Sequence, residues 1–157
     1  MITKNFMACV IAKTDAQLNV SVKKVDGEYI TQGYGNIANF LGFISGSNLD
    51  YSAGQTMRLL LGSGDSSASV DDYKLESLVT DYSVLTHSKT SIGTYDTLCT
   101  VFSRTIEANS NITIKECGVV SVDNSGNALL LLREVLPEPV ALQPGEKHTF
   151  TMTIGLE

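Results

Sequence analysis

The stretch Gly62-Ser63-Gly64-Asp65-Ser66 is the first place in this sequence where residue types suggest chemistry. A serine on a Gly-rich turn can act as a nucleophile, provided a histidine takes its proton and a carboxylate orients that histidine. The chain has two histidines, His87 and His148. Gly145-Glu146-Lys147-His148 does not supply the Asp-x-x-His that would complete such a site, so a polar loop is expected at residues 62–66. A phosphate cradle fails as well, because the loop lacks the P-loop lysine with its following Ser or Thr, and no long helix follows. Asp65, Asp71, Asp72 and Glu76 form the densest carboxylate group. Their spacing does not match an EF-hand, and solvated loop carboxylates or helix caps are expected rather than calcium ligands. Cys9, Cys99 and Cys117 include no C-x-x-C pair, so no zinc site is expected and all three read as small core residues. An odd count leaves a free thiol and points to assembly in a reducing cytoplasm. The sites read as catalytic: none; metal: none; cofactor: none.

The elements that must position these residues are strands. Phe150, Met152, Ile154 and Leu156 alternate with Thr149, Thr151, Thr153 and Gly155, the period of a half-buried strand. Leu18, Val20 and Val22, then Met57, Leu59 and Leu61, then Ile112 and Ile114 repeat the pattern. Turn signals lie between the runs. Asp26-Gly27 reads as a tight hairpin, and Asp123-Asn124-Ser125-Gly126 joins the strand ending near Val122 to the one starting near Asn127. Gln143-Pro144-Gly145-Glu146 has Pro and Gly in the places a type II turn requires. Gly27, Gly126 and Gly145 are therefore turn glycines, and Gly118 marks a bulge or a close backbone approach.

Helical signals are sparse: one short turn over residues 36–43, and another over 70–80 with Ser69 or Asp71 as its cap. The apolar run 6–12 reads as a first strand. Phe6-Met7-Ala8-Cys9 has too little apolar sequence ahead of it for a lipoprotein signal. The expected fold is one all-β domain over residues 1–157, an antiparallel, jelly-roll-like sandwich with under about a fifth of its residues helical. Residues 1–55 would supply N-terminal strands and an irregular loop near 44–55, and residues 56–157 the sandwich core.

Composition narrows the function. The 157 residues carry a net charge of -6, with scattered cations and Lys23-Lys24 the only adjacent pair. Nucleic-acid binding needs clustered cations, so it is not expected. No apolar run approaches the about 20 residues of a membrane span. Asn19-Val20-Ser21 and Asn111-Ile112-Thr113 match the glycosylation pattern but fall in predicted strands. The chain lacks Trp, and its six Tyr are spread out. Tyr34 and Tyr51 flank irregular segments and are the ones placed to be exposed, but for each tyrosine a core or interface role is expected ahead of sugar stacking.

Several motifs recur in a definite order. Leu59-Leu60-Leu61-Gly62-Ser63-Gly64 precedes Asp72-Tyr73-Lys74-Leu75-Glu76-Ser77, then Val101-Phe102-Ser103-Arg104-Thr105-Ile106 and Ile112-Thr113-Ile114-Lys115-Glu116-Cys117-Gly118-Val119. Leu130-Leu131-Leu132-Arg133 and Pro144-Gly145-Glu146 follow. This order resembles that of small structural proteins of tailed bacteriophages, over residues 56–157. Cys117 stands where an apolar residue is usual, and Val119 where Leu is. The resemblance implies a non-enzymatic virion protein, a capsid decoration, head accessory or neck/tail accessory component assembled in the bacterial host cytoplasm. Its partners would be the major capsid protein, portal/neck or tail proteins, and copies of itself, with a trimer as the first expectation. A receptor- or carbohydrate-binding module of a phage tail or fibre is the alternative, and a hydrolase built on Ser66 or Cys99 ranks last.

Glu116 continues the alternation of Ile112 and Ile114 and is expected to point inward or into an interface. A buried carboxylate needs a partner. Counting outward from the turn at residues 123–126 sets Arg133 opposite Glu116, so a structural ion pair, Glu116–Arg133, is expected.

Overall fold

The computed structural model describes residues 1–14, 19–32, 56–80, 91–92, 99–123 and 125–155. Their order is α1 (Lys4–Thr14), β1 (Val20–Lys23), β2 (Tyr29–Gln32), β3 (Thr56–Gly62), β4 (Ser91–Ile92), β5 (Cys99–Glu107), β6 (Ile112–Val122), β7 (Ala128–Leu142) and β8 (Lys147–Gly155). The protein is mostly β, as the period-two patterning implies. Sheets run in the orders β3-β6-β7 and β4-β5-β8, with β1-β2 as a separate hairpin, and among the described residues every pairing is antiparallel.

The alternation of β3 sends Met57, Leu59 and Leu61 to one face, where they meet Val119 of β6, Leu129 and Leu131 of β7, Phe102 of β5, and Phe150 and Met152 of β8. This layer between the two sheets is the main core. Among the described residues the result is sandwich-like and open rather than closed. Arg104 of β5 ties the sheets at one end, its Nη1 donating to the Leu59 carbonyl at 3.1 Å. The other face of β3-β6-β7 carries a smaller cluster of Leu60, Leu75, Val120, Ala128 and Leu130.

The turns form where their residue types require them. Gly27, Gly126 and Gly145 have positive φ angles of 94°, 82° and 86°. At the last, Glu146 N donates to the Gln143 carbonyl at 3.0 Å, closing the Gln143–Glu146 turn. Asp123 stabilises the β6–β7 turn, its carboxylate accepting from the backbone nitrogens of Ser125 and Asn127.

Two expectations for local structure fail. The run 6–12 is not a first strand but the body of α1. Thr3 Oγ1 accepts from Phe6 N at 3.4 Å as an N-cap. Asn5, Cys9 and Ala12, at helical spacing, are buried. The Asn5 side chain exchanges two hydrogen bonds with the Lys23 backbone, fixing α1 to the β1-β2 hairpin. A continuously apolar run does not reveal its period; the cap and this long-range bond decide it. Residues 70–80 are not helical either. Only a turn forms there, with Asp72 N donating to the Ser69 carbonyl and Ser69 N to Asp72 Oδ2, a side-chain alternative to helix. The expected turn at 36–43 and loop at 44–55 lie outside the described residues.

Candidate functional site

Glu116 and Arg133 meet on the outer face of the β3-β6-β7 sheet. Arg133 Nε donates to Glu116 Oε2 at 2.8 Å, and the two side chains are 2% and 0% exposed. The register differs from the sequence count. Glu116 lies opposite Val135, and Arg133 opposite Gly118: beside the turn Val122 already pairs with Ala128, one residue off the count, and the β6–β7 pairing slips by one more between Val119 and Val120. An offset of two residues leaves both side chains on one face, where diagonal neighbours are within reach of long side chains. A second slip, between Ile114 and Glu116, changes the phase of the alternation. Ile114 therefore packs in the main core with Cys117 and Val119, while Glu116 faces the other way.

Residues 63–79 fold back over this face, and their polar groups close around the pair. Glu116 Oε1 accepts from Gly64 N at 3.2 Å and Ser77 N at 2.9 Å, and Oε2 accepts from Glu76 N at 3.2 Å. Arg133 Nη1 donates to Asp72 Oδ2 at 2.8 Å, and Nη2 donates to the Ser66 carbonyl at 3.1 Å. Glu76 Oε2 lies 3.7 Å from Nη2. Burial alone would lower the Arg133 pKa, but its hydrogen bonds to Asp72 and Glu116, with their charges, outweigh it and raise the pKa above its ordinary value. The guanidinium stays charged.

The glycines make the geometry possible. A Cβ at Gly62 or Gly64 would run into the Glu116 carboxylate. One at Gly118 would lie 2.9 Å from Leu75 Cδ2, 2.8 Å from Leu130 Cδ1 and 2.9 Å from the Leu132 carbonyl. Gly118 is thus the close approach that the sequence suggests, and Leu75 seats in the hollow it leaves.

An open pocket of about 200 Å³ lies over the guanidinium, lined by Ser66, Asp71, Asp72, Tyr73, Lys74, Glu76 and Arg133. Ser66 is poorly set up as a nucleophile there. Its Oγ donates to Glu76 Oε2 at 2.8 Å. The Ser66 backbone and hydroxyl donors hold the Glu76 carboxyl below its usual range, which makes it a weak base. Among the described residues no histidine lines this pocket. His148 is on β8 against Phe150, and His87 lies outside the described residues.

The four carboxylates of the acidic group are each matched to a cation. Asp65 pairs with Lys115 at 2.8 Å, Asp71 with Lys4, and Asp72 and Glu76 with Arg133. Among the described residues no group of three or more His, Cys, Asp or Glu could hold a metal. Cys9 and Cys117 are buried free thiols whose pKa values burial pushes up to about 12. Of the tyrosines, Tyr34 and Tyr51 lie outside the described residues, whereas Tyr29 is 68% exposed.

Sequence reasoning identified the pair and missed the residues that close over it: Asp72, the backbone amides of Gly64, Glu76 and Ser77, and Leu75 over Gly118. The available signal was that the Gly-x-Gly and Asp-Tyr-x-Leu segments are polar loops next to strands that carry one buried charge each. No protein-family model matches the chain, and no curated protein or solved structure is similar to it.

Proposed function

We propose that this chain is a non-enzymatic structural component of a bacteriophage virion, a capsid decoration, head accessory or neck/tail accessory protein that works through interfaces between chains. One observation carries the reading. The residues of the ordered motifs that resemble phage structural proteins, Gly62, Gly64, Asp72, Leu75, Glu116, Gly118 and Arg133, converge on one buried clasp. Its polar groups bond to one another, which suits a scaffold that fixes a loop and not a site that turns over a substrate. Apolar side chains on the surface are consistent with assembly: Ile2, Met7, Ile11 and Val70 are between 42% and 49% exposed.

The test is to purify particles of a phage encoding this chain and measure its copy number per particle by quantitative mass spectrometry and image reconstruction. A fixed copy number at symmetry-related positions is expected. Abundant chain in the lysate with none on purified particles would overturn the proposal. The alternative, a receptor- or carbohydrate-binding module, has exposed Tyr29 in its favour, with Lys23 Nζ 5.7 Å from its ring centre. Specific retention on a glycan array, lost in Tyr29→Ala, would favour it.

A further inference from the structure

The segment 63–79 is joined to the rest of the molecule in a way that sets it apart from the strands. None of its residues belongs to the main core between the sheets. Leu75 is its one buried large apolar side chain, seated over Gly118 in the smaller outer cluster. Its remaining ties are polar. Gly64, Glu76 and Ser77 donate backbone N–H groups to Glu116. Asp72 and the Ser66 carbonyl accept from Arg133. Lys4 pairs with Asp71, Lys115 with Asp65, and Lys23 lies over the Tyr73 ring at 3.8 Å. At its ends, Ser63 N donates to the Ser77 carbonyl, and Val79 N and Thr80 N both donate to the Leu61 carbonyl, which draws the segment into a closed loop on β3.

We propose that residues 63–79 form a strap that opens as one unit from an otherwise intact sandwich, with Leu75 as its plug and the Glu116–Arg133 pair as its latch. Opening removes one apolar side chain from its seat and breaks hydrogen bonds that water can replace. It returns a buried ion pair to solvent, which recovers hydration that closure had removed. The β3-β6-β7 ladder and the main core are untouched by the movement. Such a segment is a cooperative unit at the low end of the stability scale, below the strands it covers. The open state uncovers Leu60, Val120 and Leu130 and frees the donors of Arg133, giving the sheet a second surface that exists only when the strap is lifted. The inference does not depend on the virion reading.

Native-state hydrogen exchange on the full chain tests it. The Gly64, Ser66, Glu76 and Ser77 amides should exchange at least about tenfold faster than the β3–β6–β7 ladder, and nearly independently of urea below the unfolding transition. The ladder amides should show a steep urea dependence. Met152→Ala, in the main core and remote from the strap, should accelerate the ladder amides about tenfold or more and leave the strap amides unchanged. If strap and ladder amides share one rate and one urea dependence in the unaltered chain, the strap opens only on global unfolding and the proposal is wrong. Equal acceleration of both in Met152→Ala would overturn it in the same way.

Discussion

Arg133 is the residue on which the outer face depends, because its guanidinium reaches Glu116, Asp72 and the Ser66 carbonyl. While the strap is shut, Arg133→Ala strands the Glu116 charge away from water, a cost of about 3–5 kcal/mol that is expected as lost strap protection in native-state exchange. Denaturant titration should show a fall in global stability no larger than the strap's own opening free energy. Replacing both partners with apolar residues often recovers the cost of a buried pair. Here it should not, because Glu116 also accepts from three backbone N–H groups that an apolar side chain would leave bare. A double-mutant cycle on Glu116 and Arg133 is expected to give a clearly non-zero coupling. Gly118→Ala meets Leu75, Leu130 and the Leu132 carbonyl, and should cost about 1–3 kcal/mol by overpacking. The pair was legible because Glu116 and Arg133 sit beside apolar runs on the two strands that flank the Asp123–Gly126 turn, and a buried charge needs an opposite charge nearby. The register was not, since the pairing beside the turn is one residue off the symmetric count and the slip between Val119 and Val120, which adds one more, has no turn-like residue to mark it.

At the scale of elements, the strap carries carboxylates whose titration reports on its closure. Hydrogen bonds and charge from Lys115 hold Asp65 below its ordinary pKa, and the Ser66 donors do the same for Glu76. A carboxyl whose folded pKa is depressed stabilises the folded form above its unfolded pKa, and that stability is lost as pH falls through the folded value. Strap protection against exchange or proteolysis is therefore expected to hold at neutral pH and to decline below about pH 4, where ordinary carboxyls begin to protonate. Salt should weaken it as well, since the Lys115–Asp65 and Lys4–Asp71 pairs are exposed. The thiols of α1 and β6 behave oppositely. With pKa values pushed up to about 12, Cys9 and Cys117 should resist alkylation near pH 8 in the native protein and react after denaturation. The strands and their turns were legible because Asp-Gly and Pro-Gly signals bracket period-two runs. Helix α1 was not, because Phe6, Met7, Ala8, Val10 and Ile11 leave no polar face; Thr3 and the bond from Asn5 to β1 decide the matter.

The whole molecule joins distant parts of the chain at one sheet edge. Ile2 bridges to Leu132 on the outer edge of β7, Arg133 N donates to the Met1 carbonyl at 3.0 Å, and Thr3 Oγ1 donates to the Leu130 carbonyl at 2.8 Å. Such coverage of an edge strand limits uncontrolled pairing with other chains. The rest of the β7 edge carries Pro137 and Pro139, which offer no N–H to a new strand. This closure has a kinetic consequence. The β6–β7 hairpin forms across a short turn at Asp123–Gly126, whereas the contact between Thr3 and Leu130 closes a loop spanning 127 positions. Loop-closure entropy favours the hairpin as the early event and the docking of the first helix as a late one. Gly126→Ala, strained at a φ of 82°, is therefore expected to slow refolding. Ala12→Gly, in the buried stripe of α1, should leave the refolding rate nearly unchanged and speed unfolding. Stopped-flow chevrons of the two variants would read the order in which the chain comes together.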